Sequence, residues 1–444
     1  MVLSGRVALL AALGAVIVVV AAPSTGGVVA VSAVVVAVAL VDAVLAGSPR
    51  RLWFERRGDE TVRLGETATV ALTVVNDGRR RVRGVLRDAW PPSSGALADR
   101  FPVDVAPGGR QTVETALRPT RRGDRPADRV TVRSFGPLGL AGRQGSHGVP
   151  WTLRVLPPFR ARRHLPSRLS RLREIDGRSA LRIRGQGTEF DSLREYVIGD
   201  DTRSIDWRAT ARRGDVVVRT WRPERDRHVL IVLDTGRTSA GRVGLPGGLT
   251  GEEWLGRDEP RLDAAIDTAL LLGALAARAG DRVDLLAHDR RVRAEVARPA
   301  AGDVLRRMVD AVATLEPELL ETDYRALAAE VMNRARRHAF VVIVTGLDSS
   351  AVELGLLPVI GQLTRRHTVL VASVADPRLA SLARGRGDAD AVYAAAAAEH
   401  DRLARARVAE LLARRGAHVI DAAPTDLPPA VADRYLELKA TGRL

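Results

Sequence analysis

The chain has 444 residues, enough for two or three domains, and contains no cysteine, which excludes disulfides, thiolate metal sites and a cysteine nucleophile. Its formal net charge is +15, and the positive charge is almost entirely arginine, because Lys439 is the single lysine. Arginine attracts polyanions, but here it is interspersed with carboxylates and only 4% of the residues are aromatic, which argues against nucleic-acid binding.

Two apolar segments at the beginning of the chain predict a transmembrane helical hairpin over residues 1–48. The spans cover about 7–22 and 28–46, with a turn at 23–27. A helix of about 20 residues crosses a hydrocarbon layer of ~30 Å, so the first span is short and the second is adequate. A cleavable signal peptide is the alternative for the first segment.

Charges beside the two spans predict the orientation of this hairpin. Arg6 precedes the first span, and four arginines follow the second: Arg50, Arg51, Arg56 and Arg57. The positive-inside rule therefore places both ends in the cytoplasm. We predict a plasma-membrane protein with a two-span anchor and cytoplasmic soluble domains. Asp42, near the inner end of the second span, is expected to reach the polar interface rather than to relay protons.

Short alternating runs dominate residues 51–156. Thr67–Val75 alternates with a period of two, and turn signals follow at Asn76–Gly78 and Pro107–Gly109. This pattern is typical of an antiparallel sandwich of the immunoglobulin-like type. Nothing in the segment has catalytic spacing.

Residues 157–227 combine an arginine-rich connector with a dense motif. Arg160–Arg184 is predicted to be a solvated linker, with contact to anionic headgroups as the alternative. The motif follows at Gly185–Arg213. Glycine there permits backbone conformations that other residues resist.

The carboxylates of this motif allow two interpretations. Asp200, Asp201 and Asp206 could hold a divalent ion or act as acid and base. They could equally be held in bidentate pairs by neighbouring arginines, with Trp207 and Tyr196 packed beneath. The structural interpretation is favoured, because the motif contains no histidine and no evident third ligand. The arginines expected as partners are Arg203, Arg208 and Arg212.

Residues 228–444 alternate between apolar strands and helical patterns, which predicts a doubly wound α/β domain. The first strand ends in Asp234, at the strand tip where such folds place their sites. The predicted strands are His228–Asp234, Val283–His288, Phe340–Thr345, Thr368–Val374 and Ala417–Ile420. The predicted helices are Arg261–Ala279, Gly302–Leu315, Tyr324–Arg337, Ala395–Arg415 and Pro429–Leu438.

The motif at Gly185–Arg213 resembles that of the domain of unknown function 58 family, bacterial membrane-anchored proteins with a von Willebrand factor A-like domain. The matching residues are Gly185, Gly187, Glu189, Phe190, Leu193, Arg194, Tyr196, Gly199, Asp200, Asp201, Arg203, Asp206, Trp207, Ala211 and Arg212. The resemblance implies a von Willebrand factor A-like fold for residues 228–444. It also implies a partner, a MoxR-type AAA+ ATPase that acts with such proteins in maturing other complexes.

In von Willebrand factor A domains a divalent ion sits at a D-x-S-x-S loop, completed by a threonine and an aspartate from two further loops. Asp234 and Thr238 match the first loop, and Thr322 fits the second. The pattern departs elsewhere: Gly236 lacks a hydroxyl, Arg237 adds a positive charge, and Gly346 stands where the third-loop aspartate is expected, with Asp348 two residues later. Two readings stay open, a Mg²⁺ or Ca²⁺ site and a loop that has lost its ion but still faces a partner.

No catalytic arrangement stands out elsewhere. Four histidines of the α/β segment lie at strand or helix ends without a repeated ligand spacing, and are predicted to be structural: His228, His288, His338 and His367. No G-x-x-x-x-G-K-[ST] motif occurs, which argues against nucleotide hydrolysis. We therefore predict a non-enzymatic, membrane-anchored interaction protein. The alternatives are a metal-dependent hydrolase that uses Asp200, Asp201 and Asp206, and an outward-facing adhesin.

Overall fold

A computed structural model of the chain describes residues 1–21, 23–182, 189–198, 200–222, 227–244 and 258–444. These residues form two units, Met1–Pro158 and Phe159–Leu444. The first unit consists of two apolar helices and a β-rich part, and the second is a mixed α/β structure.

The chain begins with a short strand and two apolar helices: β1 (Val2–Leu3), α1 (Gly5–Ala21) and α2 (Thr25–Leu45). The Ser24 hydroxyl caps α2 by accepting the Gly27 N–H at 3.1 Å. The helices pack closely at Gly14, where a Cβ would lie 2.6 Å from Val31 Cγ1. At 1.5 Å per residue α2 is about 31 Å long. By length and composition, the helix that begins at Thr25 could cross a membrane: its most apolar window has a mean hydropathy of 2.8.

Ten strands follow in the first unit: β2 (Leu52–Gly58), β3 (Thr61–Arg63), β4 (Ala68–Asn76), β5 (Val82–Asp88), β6 (Arg100–Val105), β7 (Arg110–Leu117), β8 (Gly123–Pro126), β9 (Arg129–Phe135), β10 (Ala141–Gly148) and β11 (Thr152–Leu156). They form three sheets, ordered β1-β10-β9-β5-β6, β2-β4-β7 and β3-β11-β8. Alternate apolar residues of the first two sheets meet in one core, including Leu72, Leu86 and Val132. The period-two pattern thus indicated the β structure of this region correctly.

A buried ion pair lies inside this unit. Asp88 accepts a hydrogen bond from Arg56 Nη2 at 2.5 Å, and it also accepts from Trp90 and Thr115. Both charged side chains are almost completely buried. Arg56, one of the four arginines counted for the positive-inside rule, is therefore buried in an ion pair with Asp88.

The end of α2 is held by the turn between β9 and β10. The buried Asp42 carboxylate accepts the N–H groups of Leu138, Leu140 and Ala141 at 2.8, 2.7 and 3.0 Å. Arg143 Nε donates to the Ala43 carbonyl at 3.0 Å, one of the carbonyls that a helix end leaves without an internal partner. Asp42 is therefore an anchor for a turn of the β structure.

The second unit starts with elements that precede its main sheet: α3 (Leu165–Arg182), β12 (Glu189–Glu195), α4 (Trp207–Arg213) and β13 (Val217–Arg222). Our prediction of a solvated linker is wrong over α3. Leu172 is buried, and Arg168 pairs with Asp433 at 2.8 Å, so the helix is packed against the unit.

The strands of the α/β part are β14 (His228–Asp234), β15 (Arg242–Gly244), β16 (Asp258–Pro260), β17 (Arg282–His288), β18 (Val292–Val296), β19 (Phe340–Val344), β20 (Thr368–Val374) and β21 (His418–Ala422). Its helices are α5 (Arg237–Ala240), α6 (Arg261–Arg278), α7 (Val304–Ala313), α8 (Tyr324–Arg334), α9 (Ser349–Ala351), α10 (Leu357–Thr364), α11 (Pro377–Leu382), α12 (Ala389–Arg414) and α13 (Leu427–Ala440). The five predicted strands and five predicted helices are all present, with ends shifted by a few residues.

The main sheet has the order β18-β17-β14-β19-β20-β21. All neighbours are parallel except the edge strand β18, which is antiparallel to β17. One face packs its core against α8, α10 and α12, through Leu327, Ile360 and Leu412 among others. On the other face Phe340 contacts Tyr435 of α13, with ring centroids 6.3 Å apart. Apolar residues on both faces explain why β14 and β19 read as continuous hydrophobic runs.

Candidate functional site

Asp234 occupies the position in this sheet where α/β folds most often bind ligands. It is the last residue of β14, which lies between β17 and β19. The chain passes from β14 to β17 on one side and returns to β19 on the other, so strand order reverses here. Such reversals leave a crevice at the carboxyl ends of the strands.

The Asp234 carboxylate is completely buried and accepts five hydrogen bonds. Oδ1 accepts from the Gly236 N–H at 2.8 Å and the Thr322 hydroxyl at 2.5 Å. Oδ2 accepts from the hydroxyls of Thr238 at 3.0 Å, Tyr324 at 2.9 Å and Thr345 at 2.5 Å. An ionised carboxylate has about four lone-pair sites, so this one is saturated by protein donors.

The structure therefore brings together the three residues predicted from the sequence, Asp234, Thr238 and Thr322. It adds two donors that the sequence did not reveal, Tyr324 and Thr345. Burial, and then the nearby Asp234 carboxylate, raise the pKa of Tyr324 well above its usual value. The phenol accordingly stays protonated and remains a donor.

Gly236 is required by the position of the Thr322 side chain. A Cβ at residue 236 would lie 2.1 Å from Thr322 Oγ1 and 2.9 Å from the Leu320 carbonyl oxygen. A serine, as in the D-x-S-x-S pattern, does not fit this conformation. The Thr322 hydroxyl occupies the space that a serine side chain at position 236 would need.

The third loop brings a cation of the protein to the cluster. Arg261 Nη1 donates to Asp348 Oδ2 at 3.2 Å and to the Thr238 carbonyl at 3.4 Å. Arg237, which we expected to supply the positive charge, instead pairs with Glu321 at 2.6 Å on the surface. The cation beside the loops is thus Arg261 of α6.

These observations test whether a divalent ion fits. Mg²⁺ and Ca²⁺ need several oxygen ligands with free lone pairs. Here the central carboxylate has none left, Gly236 cannot be replaced by a ligand, and the third-loop aspartate is paired with Arg261. Among the described residues no cluster of three or more acidic or histidine side chains could hold a metal. The arrangement does not fit a divalent ion.

Exposed leucines lie on two segments that pack against the Asp234 cluster. Leu319 and Leu320 precede Thr322 on the second loop, and Leu319 is 77% exposed. Leu354 lies on a π-helical turn, Val352–Leu356, which follows the third loop and α9, and it is 83% exposed. Such turns are frequent at functional sites. Sequence reasoning missed these leucines, because an exposed leucine in a loop has no periodic signal.

The second candidate site is the motif that precedes the main sheet. Its strands β12 and β13 pair antiparallel and form a separate two-stranded sheet. Asp200 pairs with Arg194 at 2.5 Å. Asp201 accepts the Arg203 N–H at 2.9 Å. Each carboxylate thus has a local structural partner.

Asp206 is the N-cap of α4. It accepts the N–H groups of Arg208 and Ala209, both at 3.0 Å, and pairs with Arg219 at 2.7 Å. These contacts lower the pKa of Asp206, the Ala209 N–H most and the Arg219 guanidinium next. The ionic partners are therefore Arg194 and Arg219 rather than Arg203, Arg208 and Arg212, whose side chains we expected to pair.

The aromatic packing expected in the motif is wrong for Trp207, which is 69% exposed. Ile198 is 97% exposed, whereas Tyr196 is half-buried. Of the remaining motif residues, Gly185, Gly187 and Gly199 lie outside the described residues, as do the side chains of Glu189 and Phe190.

The histidines predicted to be structural make local contacts. His228 bonds Asp284 at 2.8 Å. Although burial opposes it, bonds from His228 and Arg282 lower the pKa of Asp284 to about 2. Burial lowers the pKa of His288, and burial lowers that of His367 to about 4. His338 contacts the Thr368 hydroxyl at 3.3 Å.

Comparison with known proteins gives one family. The model of the family described as "Protein of unknown function DUF58" matches residues 192–414. No curated protein matches the chain. Among solved structures, the crystal structure of the CARDB domain of the PF1109 protein in complex with di-metal ions, from Pyrococcus furiosus, is 18% identical and covers 23% of this chain and 86% of that one, with a TM-score of 0.17.

A beta-glucosidase from Listeria innocua is 14% identical, covers 23% of this chain and 16% of its own length, and has a TM-score of 0.16. Likenesses at these TM-scores assign neither a fold nor a function.

Proposed function

The chain belongs to the DUF58 family of proteins of unknown function, and we propose that it is a membrane-anchored, non-enzymatic module that binds a protein partner through the loops around Asp234. The observation that carries this proposal is the combination of a saturated, buried carboxylate with exposed leucines on the adjacent loops. A divalent ion needs oxygen ligands with free lone pairs, whereas protein interfaces need exposed apolar side chains on a rigid support.

The geometry supports a von Willebrand factor A-like assignment for the second unit. Asp234, Thr238 and Thr322 come from the loops in which such domains place their ion, at the point of strand reversal. In this proposal the site has lost its ion and kept its loop architecture. The β-rich part of the first unit, with two sheets around one core, supports an immunoglobulin-like sandwich.

We propose a MoxR-type AAA+ ATPase as the partner, with maturation of other complexes as the shared task. This part of the proposal rests on the family resemblance. The leucine rim, comprising Leu319, Leu320 and Leu354, supplies an apolar surface that such a partner could cover. Glu321 and Arg237 form an exposed ion pair beside it, a typical polar border of an interface.

The anchor is proposed to be a two-span hairpin in the plasma membrane with the soluble parts in the cytoplasm. Two contacts support the placement of the start of α1 and the end of α2 on the same side of the membrane. Ser4, just before α1, donates its N–H to the Leu140 carbonyl at 2.8 Å. Asp42, near the end of α2, accepts the N–H of the same Leu140. The entry to α1 and the exit from α2 therefore meet one β turn.

Two other functions are less well supported. A hydrolase using Asp200, Asp201 and Asp206 needs carboxylates free to bind an ion or move a proton, and all three are engaged in caps or ion pairs. An outward-facing adhesin differs from our proposal only in topology. A reporter at the C-terminus that is active only outside the membrane separates the two, since activity would support the adhesin.

A cross-linked pull-down from native membranes tests the partnership. We expect the wild-type chain to recover an AAA+ ATPase, and Leu319→Asp and Leu354→Asp each to lower recovery at least fivefold. Leu97→Asp is the matched control, because Leu97 is 71% exposed and lies in the first unit. Failure of the wild type to recover an ATPase above background would refute the partnership, and equal recovery by all variants would refute the leucine rim.

A further inference from the structure

The outer face of the five-stranded sheet carries a groove of about 560 Å³. Arginines and apolar side chains stand side by side in its lining, which includes no carboxylate. The residues that matter are Arg87, Arg100, Arg133, Val85, Pro102 and Phe135.

The strand register explains why these residues share one face. Arg87 of β5 lies opposite Arg100 of β6. Two residues along, Val85 lies opposite both Pro102 of β6 and Arg133 of β9. Successive side chains of a strand alternate between faces, so residues two apart point the same way. The neighbouring residues Leu86 and Val132 point into the core.

Among the residues that the structure describes, two of the three arginines have no anionic partner. Arg87 is paired with Asp99 at 2.9 Å. Arg133 donates to the neutral amide oxygen of Gln144 at 2.8 Å. Within the described part of the chain, Arg100 makes no side-chain hydrogen bond or ion pair. The groove therefore offers two uncompensated guanidinium groups beside apolar surface, which suits an anion with an apolar body.

The groove lies near the end of α2. Phe135 is followed by Gly136, whose backbone touches the end of α2 so closely that a Cβ would lie 2.1 Å from the Asp42 carbonyl oxygen. The arginines lie two to four residues further along the strands, roughly 7–14 Å at ~3.4 Å per residue. If α2 spans a membrane, its polar end emerges among the headgroups, a layer of several Å on each side of the hydrocarbon.

We propose that this groove binds the headgroup of an anionic phospholipid. Arg100 and Arg133 contact the phosphate, while Val85, Pro102 and Phe135 contact the glycerol and the upper acyl carbons. Juxtamembrane arginines gain on the order of 1 kcal/mol each near an anionic surface, and a concave apolar lining adds selectivity for a lipid over a free anion. The inference rests on the membrane anchor of the proposed function.

The test uses the full chain purified in a neutral detergent and native mass spectrometry of bound lipid. We expect phosphatidylglycerol to bind at least fivefold more than phosphatidylcholine with the same acyl chains. Arg100→Ala/Arg133→Ala should reduce this preference below twofold. The control Arg110→Ala/Arg121→Ala removes the same charge from exposed positions outside the groove and should keep the preference. Equal preference in both double variants would overturn the proposal.

Competition distinguishes a lipid from other anions. Dihexanoyl phosphatidylglycerol should displace the bound lipid, while inorganic phosphate and a glutamate-rich decapeptide should not. Displacement by phosphate would indicate a simple anion site, and displacement by the peptide a peptide groove, and either result would refute lipid binding. Alkaline carbonate extraction of native membranes tests the anchor separately. Release of the wild-type chain would refute the anchor without involving the groove.

Discussion

Replacing Gly236 by serine restores the hydroxyl of the D-x-S-x-S pattern, yet we expect it to destabilise the second unit. The new Cβ would lie 2.1 Å from Thr322 Oγ1, so the threonine must leave the position in which it donates to Asp234. Loss of a hydrogen bond to a charged group costs about 1.5–3 kcal/mol. Crowding against the Leu320 carbonyl adds about 1–3 kcal/mol.

The combined loss of about 2.5–6 kcal/mol should lower the melting temperature of the second unit by roughly 5–25 °C, since about 1 kcal/mol shifts a unit of this size by ~2–4 °C. Differential scanning calorimetry of the full chain in detergent measures the shift. Gly302→Ser is the control, because a Cβ at Gly302 meets nothing within 4 Å. We expect it to leave the melting temperature unchanged within about 1 °C.

A double-mutant cycle with Thr322→Ala tests the reason for the loss. Without the Thr322 side-chain hydroxyl the main clash disappears, so Gly236→Ser/Thr322→Ala should be at least about 1 kcal/mol more stable than the sum of the single losses predicts. Additive losses within ~0.5 kcal/mol would refute the proposed competition for one position. So would a Gly236→Ser protein as stable as Gly302→Ser.

Three further substitutions probe other contacts. Tyr324→Phe removes one of five donors to Asp234 and should cost about 1–2 kcal/mol in calorimetry, since four donors remain; a loss above ~4 kcal/mol would contradict the saturated carboxylate. Asp42→Asn should speed amide hydrogen exchange at Leu138, Leu140 and Ala141 at least tenfold, because an amide offers one acceptor oxygen in place of two; unchanged exchange would contradict the anchor. Burial lowers the pKa of His367 to about 4, whereas an unfolded histidine has a pKa of ~6.5. Between these pH values the unfolded state therefore binds more protons than the folded state, and the free energy of unfolding falls as the pH drops from ~6.5 to about 4. The buried Asp267, whose pKa is raised to about 6, acts in the opposite direction, so the measurement is the pH-dependent difference in unfolding free energy between wild type and His367→Gln. That difference should shrink by up to about 3 kcal/mol between pH 7 and pH 4, and no change would refute the neutral buried histidine.

The parts of the fold that followed from the sequence are those encoded by local pattern. The run His228–Asp234 is apolar at every position except its ends, and it forms a central strand because helices cover both sheet faces. Helix α3 was missed for the converse reason. Its sequence is rich in arginine, and part of its packing comes from the ion pair of Arg168 with Asp433, a residue 265 positions away that no local pattern can indicate.

The residues of the candidate site also fall into those that the sequence indicated and those that it did not. Asp234, Thr238 and Thr322 could be predicted, since a strand tip and a family pattern mark them. Tyr324 and Thr345 could not, because they reach the carboxylate from 90 and 111 residues away and hydroxyl donors have no signature in sequence. The cation beside the Asp234 loops is Arg261 and not Arg237. Which of the two lies there depends on the direction of the side chains, which sequence spacing does not determine.

The hydrogen-bonded Asp234 carboxylate has a physical consequence for partner binding in the proposed function. Through Thr238, Thr322 and Thr345 it ties together three loops near the leucine rim. The π-helical turn that carries Leu354 packs on Tyr324, where a Cβ at Gly355 would lie 2.5 Å from the ring. Loops fixed before association lose less conformational entropy when a partner binds. Asp234→Asn should therefore weaken partner recovery through loosened loops, although Asp234 itself is too deeply buried to touch a partner.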